Sequence, residues 1–202
     1  MKSTKDFYNK IAHEMASEWY GNDTMLPCHR NFISRFPEKP RILDLCCGAG
    51  YESMRMRSLG AEVVGIDFSE ESIKIARTKN PDIMFYIGDM LEGFSYAGIF
   101  DGVAVLAGLI HIPNEKLRRA FLNISQVLKD DGLLLAVVVD GTGKLEKKSF
   151  VTIDGEEYDR EFYAHTKKEL VDYTKGIFEF VDEIPSDSSA WKNYIFKKSD
   201  NI

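Results

Sequence analysis

The segment Leu43-Asp44-Leu45-Cys46-Cys47-Gly48-Ala49-Gly50, preceded by Pro40-Arg41-Ile42, constrains this chain more than any other. A short apolar run delivers an aspartate and then a glycine-containing turn, and the stretch from Tyr51 to Leu59 beyond it has helical character. That order is how an open α/β sheet builds a nucleotide-type cofactor site at the end of its first strand. A second apolar run, Val63-Val64-Gly65-Ile66, ends in Asp67. An acid at the tip of a second strand is placed to accept hydrogen bonds from ribose hydroxyls.

The rest of the chain fits the same plan. Phe7, Ile11, Met15 and Trp19 recur every four residues, which predicts an amphipathic helix whose buried side they form, ended by Gly21-Asn22-Asp23. A short helix is expected from about Pro27 to Phe36, stopped by Pro37 and Pro40. Strands are expected at Arg41 to Leu45, Glu62 to Ile66, Ile83 to Ile87, Phe100 to Leu106 and Leu133 to Val139. Between them, Ser69 caps a helix to about Lys79, and Asn114 is expected to cap a long one through Leu128, with Leu117, Phe121, Ile124 and Leu128 inward. Alternation of strand and helix implies a parallel sheet covered on both faces, and strands such as Leu133 to Val139 are apolar throughout, as covered strands must be. The end changes character. Ser149 to Ile153 and Glu157 to Tyr163 flank Asp154-Gly155 as a hairpin. A helix from about Thr166 to Thr174 follows, and then two runs, Ile177 to Ile184 and Trp191 to Phe196, expected to pair antiparallel.

At 202 residues, 44% hydrophobic and 29% charged, the chain is read as one globular domain: a helical lid over 1–40, a cofactor core over 41–140, a hairpin insert over 141–165, and a last helix with antiparallel strands over 166–202. No run is long and apolar enough for a membrane span, the first residues lack the apolar core of a secretion signal, and three cysteines make no disulfide framework. A cytoplasmic location is the expectation. A net charge of −6 is the wrong sign for a dedicated nucleic-acid binder, and no histidine or cysteine has a partner at metal-ligand spacing.

The identity of the cofactor follows from charge. A dinucleotide presents a pyrophosphate, which calls for helix N–H groups and no nearby anion. Asp44, just ahead of the turn, would repel it, and the third dinucleotide glycine is absent from Gly48-Ala49-Gly50-Tyr51-Glu52-Ser53. S-adenosyl-L-methionine carries an ammonium and a sulfonium and no phosphate, so an acid suits it.

With Asp44, the turn, Asp67, Gly88-Asp89 and the alternating elements in register, the sequence resembles the class I S-adenosylmethionine-dependent methyltransferases from about Tyr8 to Val139. Asp44, Cys46, Gly48 and Gly50 match the first motif, with Cys46 in place of the usual glycine, which narrows the space beside the methionine part of the cofactor. The resemblance implies a Rossmann-like three-layer α/β/α sandwich around a seven-stranded, mostly parallel sheet with one reversed strand. It further implies that Asp67 holds the ribose, that Phe68 packs on the adenine, that Asp89 with Met90 reads the adenine edge, that Leu106 at the end of strand four lies beside the sulfonium, and that Tyr8 belongs to a segment closing over the cofactor.

The acceptor side is less defined. His111, in Leu109-Ile110-His111-Ile112-Pro113, lies in the loop that lines the substrate side of such a sheet, and it is the first candidate for a general base. Tyr20, Tyr163 and His165 are further candidates for the acceptor pocket. The expected reaction is an SN2 methyl transfer to a small-molecule acceptor, with S-adenosyl-L-homocysteine as product. Methylation of RNA or protein, nicotinamide oxidoreduction, and cofactor binding without chemistry stay open as alternatives. Acceptor atom and oligomeric state are not set by these residues.

Overall fold

The computed structural model describes residues 1–199. Two helices lead, α1 (Thr4–Trp19) and α2 (Leu26–Ile33). They are followed by β1 (Arg41–Leu45), α3 (Tyr51–Ser58), β2 (Glu62–Asp67), α4 (Glu70–Lys79), β3 (Met84–Ile87), β4 (Phe100–Leu106), α5 (Asn114–Val127) and β5 (Leu128–Val139). An excursion then runs through β6 (Gly143–Lys144), α6 (Glu146–Ser149), β7 (Phe150–Ile153), β8 (Glu156–Asp159) and β9 (Tyr163–Ala164). Finally come α7 (Lys167–Thr174), β10 (Phe178–Ile184) and β11 (Trp191–Lys198).

Seven strands form one sheet in the order β10-β11-β5-β4-β1-β2-β3. The pairings from β5 to β3 are parallel, and β11 runs antiparallel to both β5 and β10, so it is the single reversed strand. Successive side chains of a strand point to opposite faces, and the two faces fill separately. Ile42, Val63, Ala104, Leu135 and Val137 pack with Phe32 of α2, Met56 of α3 and Ile73 of α4. Leu43, Leu45, Val64, Ile66, Val103 and Val105 pack on the other face with Leu117, Phe121 and Ile124 of α5 and Leu170 of α7. This is the three-layer α/β/α sandwich. The chain leaves β1 towards β2 and β3, then returns to the other side of β1 as β4. A crevice therefore opens beyond the carboxyl ends of β1 and β4, where neighbouring connections part, and that is where open α/β sheets bind ligands.

Several expectations need correction. In α1 only Phe7 of the proposed stripe is fully buried; Thr4, Ala12 and Ala16 are the other buried positions, and the two alanines meet Ala49 and Ile75. The small side chains let the helix lie close to α4, over the rim of the sheet instead of its core. The second helix stops at Ile33, not Phe36, in keeping with Pro37 disfavouring helical backbone just ahead of it. Asn114 does not cap α5. Pro113 holds the cap position (φ −67°, ψ 154°), and the Asn114 side chain donates instead to Glu169. The fifth strand begins at Leu128, with a register break between the Phe100–Leu128 and Gly102–Leu133 pairs and Asp131 in a left-handed conformation.

The hairpin forms as expected, with Asp154 (φ 51°) and Gly155 (φ 77°) supplying the two left-handed residues of a tight turn. Its second strand is shorter than proposed. Glu161 (φ 42°) breaks it, and Tyr163 passes into β9 to pair with Lys144 of β6. The hairpin packs on α1: Lys2 donates its N–H to the Glu157 carbonyl and accepts from Asp159, Lys10 pairs with Asp154 at 2.7 Å, and the Phe7 and Tyr158 rings meet edge-on at 5.9 Å. Among the described residues no helix is long and apolar enough to cross a membrane.

Phe121 of α5 sits at zero exposure against the sheet, with its ring 6.2 Å from that of Phe178 at the start of β10. Phe121→Ala should cost about 3–5 kcal/mol of unfolding free energy, read as a lowered urea midpoint with an unchanged slope.

Candidate cofactor and acceptor site

The loop after β1 is hung from β2. The N–H groups of Cys46 and Cys47 both donate to the Ile66 carbonyl, at 2.7 and 3.0 Å, and Cys46 takes a left-handed conformation (φ 66°). Such a backbone costs a non-glycine residue roughly 1–3 kcal/mol and persists only where the surroundings over-determine it. Gly48 then donates its N–H to Oδ2 of Asp67 at 2.8 Å, while Oδ1 of the same carboxyl accepts from the Ser69 N–H at 2.8 Å. One buried side chain thus joins the loop after β1 to the start of α4. Burial pushes its carboxyl up to about 6, against the pull of those backbone donors. Asn9 of α1 grips the same corner. Its Oδ1 accepts from Ser69 Oγ at 2.8 Å and from the Glu71 N–H at 3.2 Å.

A cavity of about 310 Å³ opens above these loops. Of the residues singled out from the sequence, it is lined by Tyr8, Cys46, Gly48, Asp67, Phe68, Asp89, Met90, Leu106 and His111. Asp89 closes a local turn by accepting from the Leu91 N–H at 2.8 Å, and no helix follows for it to cap. Met90 is held from behind by Asn123, which donates to its carbonyl at 2.8 Å.

Five of the named residues do not line the cavity. Asp44 is buried beneath the loop and accepts a hydrogen bond from Ser53 Oγ, so its carboxyl faces α3 and not the ligand space. Burial pushes it up to about 7. Gly50 (φ 83°) begins α3, and a Cβ there would lie 2.9 Å from Cζ of Phe85; its role is close packing. Tyr20 supports the loop from behind, donating to the Ala49 carbonyl at 2.7 Å and accepting from Asn80 at 2.8 Å. His165 is fully buried, with Nε2 3.0 Å from the Leu109 carbonyl and Nδ1 3.0 Å from Oδ1 of Asn114, and Tyr163 stacks on it at 6.4 Å. Tyr20 and His165 therefore have their polar groups bonded within the protein, and neither these two nor Tyr163 lines the cavity.

His111 is different. Its Nδ1 is 2.9 Å from the Arg160 carbonyl and 3.1 Å from the Glu161 carbonyl, and its Nε2 is 2.8 Å from the Tyr8 hydroxyl. Carbonyl oxygens only accept, so Nδ1 carries the proton, Nε2 is bare, and Tyr8 donates to it. Burial lowers the imidazole to about 4 and raises the Tyr8 phenol to about 12, so both are neutral across the physiological range. The pair joins α1, the loop after β4 and the exit from the hairpin at one point in the cavity wall.

Sequence reasoning missed several lining residues: Thr4, Met15, Tyr51, Lys116 and Glu161 among them. It also missed Asn9. None carries a motif. Glu161 reaches the cavity through a left-handed backbone after the hairpin, and Asn9 through helix phase, neither of which composition announces.

Residues 42–132 match the family model described as a methyltransferase domain. A provisionally named methyltransferase of Bacillus subtilis, YqeM, is 39% identical over 104 residues, covering 49% of this chain and 42% of that protein. A demethylmenaquinone methyltransferase of Leptospira interrogans is 29% identical over 150 residues, covering 65% of this chain and 58% of that protein. The chain thus spans about half the length of the curated relatives it matches. Among solved structures, the DhpI–SAH complex superposes with a TM-score of 0.78 over 98% of this chain and 96% of that one, at 17% identity, a likeness of fold. With the domain match over residues 42–132, the motif set and the strand order together, this part of the chain is similar to the class I S-adenosylmethionine-dependent methyltransferases.

Proposed function

We propose that the cavity binds S-adenosyl-L-methionine and that the protein passes its methyl group to a small-molecule acceptor, releasing S-adenosyl-L-homocysteine. The observation that carries this reading is the charge of the cavity wall. Asp67 and Asp89 line it, and Lys116 is the only Lys or Arg among the lining residues. A wall with more carboxylates than cations disfavours a pyrophosphate and favours a ligand with a positive centre and ribose hydroxyls to donate. The volume is in the range of small-molecule sites. The acidic balance of the chain and the similarity to a demethylmenaquinone methyltransferase support a small-molecule acceptor.

When bound, the cofactor supplies a methyl group already activated on a sulfonium, so the protein contributes position and dryness more than covalent help. In this reading Asp67 accepts from the ribose hydroxyls with the lone pairs that Gly48 and Ser69 leave free. Phe68 offers a flat apolar face to the adenine, and Asp89 with Met90 meets the adenine edge. Leu106 and Ala107 border the reacting end. The lid helix α1 and the hairpin exclude water. In this reading His111 is the general base, and it lines the cavity with a bare nitrogen. Its bare Nε2 takes up a proton from the acceptor when the Tyr8 hydroxyl gives way to it, and the two backbone carbonyls at Nδ1 then steady the imidazolium.

Three measurements test this. A metabolite-extract screen that follows S-adenosyl-L-homocysteine release should yield a methylated small molecule; cofactor binding with no release against any extract would leave a binding protein without chemistry. Asp67→Ala should weaken S-adenosyl-L-homocysteine by about 10- to 100-fold in calorimetry, the loss expected of a hydrogen bond to a charged group. Because the Asp67 carboxyl is raised to about 6, its ionised form disappears as pH falls through that value. Wild-type affinity should therefore drop below pH 6 while that of Asp67→Ala stays flat. His111→Ala should keep cofactor affinity and cut turnover by about 10²- to 10⁴-fold; full turnover would remove His111 from the mechanism. The neutral, buried His111 also predicts stability complete above its ordinary pKa of 6.5 and lost as pH falls towards 4, with an imidazole midpoint near 4 in an NMR titration.

A further inference from the structure

Two residues with side chains adopt left-handed backbone conformations on facing loops of the cavity: Cys46 (φ 66°) after β1 and Ala107 (φ 56°) after β4. Next to Ala107 stands Gly108. A Cβ built there would lie 2.7 Å from Sγ of Cys46, 2.9 Å from its Cβ and 2.8 Å from Cγ1 of Val105. The cysteine side chain therefore fills the space above Gly108, and both residues line the cavity. The thiol is not built as a nucleophile, since burial and the neighbouring acids hold it protonated. What it supplies is bulk. A glycine would relieve the strained backbone, yet a side chain stands here, opposite a position where only glycine fits.

Resting on the reading of the cavity as an S-adenosylmethionine site, we propose that Cys46, seated over Gly108, sets the size of the alkyl group that the bound donor can carry. With the ribose at Asp67 and the adenine at Phe68, the cavity continues past Gly48 to Cys46, Leu106, Ala107 and Gly108. The substituent on sulfur would then lie at that end. Cys46 closes it from the donor side and the loop after β4 from the acceptor side. In this proposal a methyl group would be accommodated there, and an added methylene would meet Sγ.

The test is calorimetric and needs no acceptor. The probes are S-adenosyl-L-methionine and S-adenosyl-L-ethionine, which differ by one methylene. Wild-type protein should bind the ethyl donor about tenfold or more weakly, the discrimination one methylene commands in a tight pocket. Cys46→Gly should bring the two affinities within about threefold of each other, the same penalty largely removed. Cys46→Ala, which keeps Cβ and loses only sulfur, should fall between. Gly108→Ala should lose affinity for both donors, and adding Cys46→Gly to it should restore part of that loss, because two of the three close contacts are then gone. Thermal melts of each variant separate misfolding from selectivity, and Cys46→Gly should melt no lower than wild type. Equal binding of both donors by the wild type, or a ratio unmoved in Cys46→Gly and Cys46→Ala, overturns the inference while leaving the cofactor reading intact. Failure of the wild type to bind either donor overturns the cofactor reading and this inference with it.

Discussion

The carboxyl of Asp67 is the interaction on which the site depends. It is a buried acid accepting one N–H from the loop after β1 and one from the start of α4. Backbone donors aimed at one carboxyl fix the relative position of two loops more tightly than apolar contact does, because a displaced loop leaves a buried polar group unpaired. The third loop of the crevice, after β4, has no direct share in that bond. It is brought to the same place by the parallel pairing of β1 with both β2 and β4. Sheet topology supplies the crevice and one hydrogen-bonded side chain sets its edges.

Around this centre the protein places two kinds of chemistry in one cavity. Asp67 and Asp89 are acidic and hydrogen-bonded to backbone N–H groups. His111 and Tyr8 are a neutral pair, the imidazole tautomer fixed by two carbonyls of the hairpin exit. A hairpin that contributes no strand to the main sheet thereby determines the protonation pattern of a residue fifty positions earlier in the chain. The left-handed Glu161 beside those carbonyls is the local cost of that reach.

The sheet was legible because its signals are local and redundant. β1 and β4 are short, mostly apolar runs bounded by turns, and Ser69 and Thr166 are hydrogen-bonded N-caps just where a helix begins. The cofactor half of the site was legible for the same reason, since a motif is a fixed spacing on one loop. Asp44 shows the limit. Its position in the sequence announces an acid at the loop, but only packing decides that the carboxyl turns to Ser53 and away from the cavity. Asn114 shows another: its type and place argue for a helix cap, and Pro113 takes that position because its own fixed backbone angle suits the entry. The acceptor half was hardest to read. Tyr20, Tyr163 and His165 have the polar groups of binding residues, and all three spend them on walls. Nothing in a linear sequence says whether a hydroxyl or imidazole will meet a ligand or a carbonyl.

The bridge between Lys2 and β8 carries a consequence for how the molecule comes to be. Lys2 also pairs through its side chain with Glu156, 154 positions away, and its backbone is bound on both sides of Tyr158. Synthesis delivers α1 before the hairpin that clasps it, with β1 to β5 made in between. During that interval the apolar side of α1 has α4 to rest on but no hairpin partner, and contacts so distant along the chain form late because their loop entropy must be met first. The cover of the cavity therefore closes a long loop of chain, and it does so over β1 to β5, since β11 and β10 follow the hairpin in the sequence and extend the sheet on its far side.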